Sequence, residues 1–340
     1  MSRNLLTLSL TATLMGGAAN ADVPQVVADI APVHSLVARV MDGVGEPALI
    51  MQQGASPHEY SLRPSEAQAL QDADLVFWVG AGLSPWLEGG IATLASDADA
   101  TELMESAGTI ELESRNNALF EKHVHADDED HDDHDEHADE GHDEHADEDH
   151  GDEGHEDHEG EDDDHYDHAH GKHDPHAWLS PNNAMTWLNL IAGQLSAADP
   201  ENAGAYFTNA AAGRVEIEAA IADANAILEP VRGGQFIVFH DAYQYFENDF
   251  DFYAAGAISL SDASDPSPAR IAEIQARIAD EGIDCVFTEP QFNPGLVATV
   301  LDGTDAQTGI MDPLGSDLEL GTAFYPQLIR NLSTSLAGCM

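Results

Sequence analysis

The sequence predicts an α/β protein: two (β/α) lobes with mainly parallel sheets, joined by one long backbone helix. Three observations carry that reading. Short apolar runs alternate with helical segments over residues 25–95, the same alternation resumes over 235–336, and an unbroken helical pattern covers 200–228 between them. Such alternation favours parallel strands with helices on the sheet faces.

The elements follow in order. QVVADI (25–30) reads as a buried strand, 33–42 as a helix, ALIM (48–51) as a short strand and SEAQALQDA (65–73) as a helix. LVFWVG (75–80) is a third strand and 84–95 a further helix. PNNAMTWLNLIAGQL (181–195) is helical, and the pattern over 200–228 repeats Ala, Ile, Val and Leu at helical spacing until Pro230 and Gly233-Gly234 stop it. A helix of that length spans about 40 Å, the size of a lobe. QFIVF (235–239), AISL (257–260), CVFTE (285–289) and TGIMD (308–312) then read as strands. Helices are expected over 241–250, 268–280, 295–303 and 323–336. The expected boundaries are a leader over 1–21, a first lobe over 22–198, a linking helix over 199–230 and a second lobe over 231–340.

Composition narrows the function. The chain carries 64 acidic against 11 basic residues, a formal net charge of −53. That balance argues against nucleic acid, which is neutralised by Lys and Arg, and against an anionic membrane surface. It suits a soluble protein that attracts cations. Residues 1–21 have the layout of a secretory signal: Arg3, an apolar core over 5–15, and Ala19-Asn20-Ala21 as the small-x-small cleavage site before Asp22. The apolar core is too short to cross a bilayer. An exported chain is therefore expected. In that compartment the two cysteines, Cys285 and Cys339, favour a disulfide over free thiols, and no CxxC spacing supports a metal pair. Such a bridge contributes about 4 kcal/mol by loop entropy.

Residues 121–173 form a low-complexity run with 14 of the 18 histidines. These are His123, His125, His131, His134, His137, His142, His145, His150, His155, His158, His165, His168, His170 and His173. The run has no apolar period and cannot offset its ordering entropy by burial, so it reads as a disordered insertion in the first lobe. Its composition fits an accessory metal-binding tether; a merely solubilising segment is the alternative.

Four histidines remain. His34 lies in the apolar helical stretch PVHSLVARV, where a partly buried helix face explains it. His58, His176 and His240 each sit in a loop or turn near a strand end or a helix start. In open α/β sheets ligands bind beyond the carboxyl ends of the strands, so the three rings are expected in one cleft. Three imidazoles suit zinc, which prefers about four ligands in a tetrahedron.

GASPHEYSLRPSEAQALQDADLVFWVG, DPHAWLSP, FIVFHDAYQYFE, CVFTEPQF and MDPLGSDLELG, in this order, resemble the TroA-like (cluster A-I) substrate-binding proteins of ABC importers, above all their zinc-specific ZnuA-type branch. The resemblance covers nearly the whole chain after the leader. It implies two lobes on one rigid helix, with Zn²⁺ held between them by His58, His176 and His240. It also implies the Cys285–Cys339 bridge, and a His- and acid-rich insertion typical of the zinc branch. Some zinc members have Glu immediately before the first histidine; here that position is Pro57, with Glu59 on the other side. Many members use an Asp of the second lobe, and Asp312 in MDPLG is the match, with water or a loop carboxylate role as the competing readings. Glu289 is read as an acceptor for a histidine N–H or as a loop stabiliser. Manganese-binding relatives have a carboxylate where this chain has His240, so the imidazole set favours zinc.

The resulting expectation is a monomeric periplasmic protein, not an enzyme. It captures Zn²⁺ and delivers it, in a transient complex, to an ABC permease of the inner membrane. A zinc hydrolase with Glu59 or Glu289 as base, and a metal buffer or adhesin working through the acidic run, are the alternatives. No HExxH stands in the sequence to favour the hydrolase.

Overall fold

Eight strands and nine α-helices alternate along the described residues of the computed structural model, which are 23–115, 117, 119–120, 173–259, 266–292 and 294–340. The expected leader and the histidines from His123 to His170 lie outside the described residues.

The first sheet is built from β1 (Val26–Ala28), β2 (Ala48–Leu49), β3 (Leu75–Trp78) and β4 (Asp99–Glu102), in the order β2-β1-β3-β4 and all parallel. Its helices are α1 (Ala31–Val40), α2 (Pro64–Gln71) and α3 (Pro85–Leu94). Proline occupies the first helical turn of all three, where its missing N–H costs nothing. The central strands β1 and β3 are buried along their whole length, as their continuous apolar runs require. β4 was not expected: its sequence DATE is part exposed and lacks an apolar pattern, as an edge strand allows.

After a 3₁₀ turn (Ala177–Leu179) come α4 (Pro181–Ala198) and the long α5 (Ala203–Leu228). Ser180 caps α4, its hydroxyl accepting from Asn183 N at 3.1 Å. The second sheet comprises β5 (Phe236–His240), β6 (Gly256–Ser259), β7 (Cys285–Thr288) and β8 (Gln307–Ile310), parallel in the order β6-β5-β7-β8. Its helices are α6 (Gln244–Phe250), α7 (Pro268–Glu281), α8 (Pro294–Leu301) and α9 (Phe324–Cys339). His240 is the last residue of β5, not the first residue beyond it. A disulfide joins Cys285, the first residue of β7, to Cys339, the last of α9.

α5 is packed against α1, α4 and α9, with Tyr206, Ile217 and Leu228 in the same core as Trp178, Trp187 and Tyr325. One continuous core thus runs beneath both sheets. Among the described residues, no helix is long and apolar enough to cross a membrane.

The chain leading into the His-rich run departs from expectation. Rather than staying with the first sheet, Leu119 and Phe120 lie against the second. Phe120 N donates to Ala255 O at 3.2 Å, Leu119 bridges Gly256 antiparallel, and Arg277 Nη2 donates to Phe120 O at 2.8 Å. At the far end His173 is within the fold: it bridges Glu113, and its Nε2 lies 3.5 Å from Glu111.

Candidate metal centre

His58, His176 and His240 meet between the two sheets. Each offers one ring nitrogen, and these atoms all lie within 4.8 Å of one another. The ring centroids of His58 and His176 are 5.5 Å apart, and those of His176 and His240 5.2 Å. Trp178, Phe292, Pro313 and Leu314 line the same cleft.

Two of the rings are oriented from behind by buried carboxylates. Asp174 Oδ1 accepts from the His176 backbone N at 2.9 Å and faces His176 Nδ1 at 2.7 Å. Glu289, one residue past β7, places Oε1 2.7 Å from His240 Nδ1 and accepts from its backbone N at 3.3 Å. A carboxylate at Nδ1 fixes that nitrogen as the protonated one and presents Nε2, the arrangement that orients imidazoles toward a metal. The third histidine follows a buried proline in the loop between β2 and α2. Its backbone N donates to Ser56 Oγ at 3.2 Å.

The acids behind the rings are held with little water. Burial pushes the carboxyls of Asp174 and Asp241 up to about 7, against the opposing pull of Arg115, and it raises Glu289 as well. Arg115, from the strap before the run, donates to Asp241 Oδ1 at 3.0 Å and Glu247 Oε2 at 2.5 Å, with its guanidinium 3.9 Å from the Phe120 ring centroid. Asp241 follows His240 in sequence, so this one cation from the first half of the chain anchors the segment carrying a candidate ligand in the second.

The carboxylate of Asp312 is bonded by its own loop. Its Oδ1 accepts from Leu314 N and Gly315 N at 3.0 Å each, and its Oδ2 from Ser316 N and Oγ at 2.6 Å each. It stands outside the group of three and organises the loop that presents Pro313 and Leu314 to the cleft. Glu59 is exposed and also stands outside the group. His34 is remote, buried in α1 with Nε2 3.1 Å from Pro47 O. Sequence reasoning missed Asp174 and Arg115. The available signals were an acid two residues before a candidate ligand, and a lone arginine entering an acidic run.

The sequence matches the family model described as ZnuA, zinc-uptake complex component A periplasmic, over residues 26–339. It is 42% identical over 342 residues to the high-affinity zinc uptake system protein ZnuA of Brucella abortus (strain 2308), covering 99% of each chain. It is 43% identical over 323 residues to the protein of the same name from Paracoccus denitrificans (strain Pd 1222), covering 95% of this chain and 93% of that one. The fold matches a crystal structure of ZnuA with a TM-score of 0.68 at 20% identity, covering 93% of this chain and 99% of that chain. The order of the two parallel sheets, the long helix and the match along nearly the whole length lead to one conclusion: the chain belongs to the ZnuA family, component A of periplasmic zinc-uptake complexes.

Proposed function

We propose that this protein captures Zn²⁺ in the periplasm and delivers it to an ABC importer of the inner membrane, with His58, His176 and His240 as the protein ligands. The observation that carries the reading is the convergence of three imidazoles from three separate segments on one cleft, two of them backed by carboxylates. A tetrahedral zinc with Zn–N of about 2.0–2.1 Å needs nitrogens about 3.3 Å apart. The rings therefore close on the ion by no more than about 1.5 Å, within reach of side-chain rotation. The names of the relatives support zinc as the cargo. The fourth position goes to a non-protein ligand, because the carboxylate of Asp312 is occupied by its own loop. A site open at one position gives the ion a route out to the permease.

In this reading the His-rich run is an accessory that raises the local concentration of zinc near the cleft. The hydrolase alternative gains no support. Of the two bases it would use, Glu289 is committed to His240 and Glu59 is exposed outside the group of three histidines, and the family is one of uptake-complex components. Calorimetric zinc titration tests the proposal on the full chain, on a form lacking 121–172, and on His58→Ala, His176→Ala and His240→Ala. One tight site that survives loss of the run, and weakens at least a hundredfold in each histidine variant, is expected. A tight site that is indifferent to the three histidines, or that vanishes with the run, overturns it.

A further inference from the structure

His176 and His240 have their rings oriented by Asp174 and Glu289. His58 is held through the peptide before it, by a residue from another helix. Trp86, in the first turn of α3, donates Nε1–H to the carbonyl of Pro57 at 2.7 Å. Ser84, the residue before α3, donates its hydroxyl to the same carbonyl at 3.3 Å. The Pro57 carbonyl and the His58 N–H belong to one planar peptide unit, and that N–H donates to Ser56 Oγ. The plane is thus gripped at both ends. Pro57 adds a fixed φ on its own side and has no N–H through which to slip into another turn.

The grip extends one step further along the loop. Tyr60, two residues after His58, lays its ring 5.3 Å from that of Trp86 and donates its hydroxyl to Glu66 Oε1 at 2.8 Å. Glu66 in turn accepts from Arg63 N at 2.7 Å, closing the start of α2. The loop carrying His58 is clamped between the first turns of two helices, and Trp86 meets it both through its N–H and through its ring.

We infer that Trp86, assisted by Ser84, is the positioning residue of the first zinc ligand: by fixing the Pro57–His58 peptide plane it aims the His58 imidazole at the other two rings. It works through His58 and makes no contact with the ion. The inference rests on the zinc site proposed above.

The test is a zinc titration of the full chain in competition with a chelator, read by tryptophan emission. Trp178, with its ring centroid 5.3 Å from that of His176, makes the emission sensitive to the cleft rather than to the run. Trp86→Phe keeps a ring against Tyr60 and removes the donor. Loss of one hydrogen bond corresponds to about a fivefold weakening. In the His58→Ala background the same substitution is expected to change affinity less than twofold, whereas in His176→Ala the fivefold loss persists. A merely structural role would weaken both backgrounds alike. Ser84→Ala, which changes little volume, is expected to follow the same pattern at two- to threefold and guards against a folding defect in Trp86→Phe. Unchanged affinity in both variants, or a loss that persists undiminished without His58, overturns the inference. If His58→Ala itself leaves zinc binding intact, the zinc site fails first.

Discussion

The carboxylate of Asp312 serves four donors of its own loop, three of them backbone N–H groups. Its removal leaves those groups to compete for water in a part-buried loop, at a cost of about 1–3 kcal/mol. Asp312→Ala is therefore expected to lower the urea midpoint. It should weaken zinc binding by less than tenfold, through the loop that presents Pro313 and Leu314. A hundredfold loss of affinity at unchanged stability would instead identify it as a ligand. The contrast with the histidines is instructive. That His58, His176 and His240 would share one cleft was legible because their placement between strands and helices is a local property of the chain. The loop bonds of Asp312 were not, because a carboxylate after a strand reads the same whether it faces a metal or its own backbone. Glu289 shows the same ambiguity resolved the other way: its partner His240 lies 49 residues earlier, on the neighbouring strand.

At the scale of an element, α5 repays the closest look. Its buried face is made of Tyr206, Ala210, Gly213, Ile217, Ala220, Ala224 and Leu228, a stripe at helical spacing dominated by small residues. Small residues allow close approach of neighbouring helices. At Gly213 an added Cβ would stand 2.9 Å from Arg39 Cγ and 3.1 Å from Leu188 Cδ1. Arg39 is not free to yield, because its guanidinium holds Glu216 through two bonds of 2.9 and 3.1 Å. Gly213→Val is expected to cost about 1–3 kcal/mol by overpacking, seen as a lower melting temperature. An unchanged melting temperature would show that α1 and α4 can shift. The helix itself was evident from periodicity and from Pro230. Its tight fit against α1 and α4 was not, since a glycine inside a helical pattern reads only as a weak point. β4 escaped notice for the opposite reason: an edge strand needs no apolar signature, and hydrogen bonds to β3 alone define it.

At the scale of the whole molecule, charge governs the response to pH. Burial pushes Asp29, Asp174, Asp241 and Glu247 up to about 7 in the folded protein. A carboxyl raised in this way contributes stability fully below its ordinary value, 3.8 for Asp and 4.5 for Glu here, and loses it as pH rises through about 7. His34 works in the opposite sense: burial lowers it from 6.5, so its contribution is present above that value and is lost as pH falls below it. The metal-free protein is therefore expected to melt higher at pH 6.5 than at pH 8 at constant salt, by about 1 kcal/mol per raised group at most. Relief of the net charge of −53 acts in the same direction. Asp29→Asn, away from the metal centre, should shrink the difference in scanning calorimetry; a melting temperature that falls on going from pH 8 to 6.5 contradicts the assignment. From the residues alone came the two alternating α/β halves, the long helix between them, Cys285–Cys339 as the favoured bridge, and three histidines as candidates for one cleft. These follow from residue type and short-range spacing. It took the packed fold to show that Asp174 and Glu289 stand behind two rings, that Trp86 grips the peptide before the third, that Asp312 accepts from its own loop, and that Arg115 reaches Asp241 and Glu247. Apart from Asp174 and Asp312, which bond within their own loops, these contacts join residues 29 to 132 positions apart, and such pairs meet only when a packed core brings their elements together.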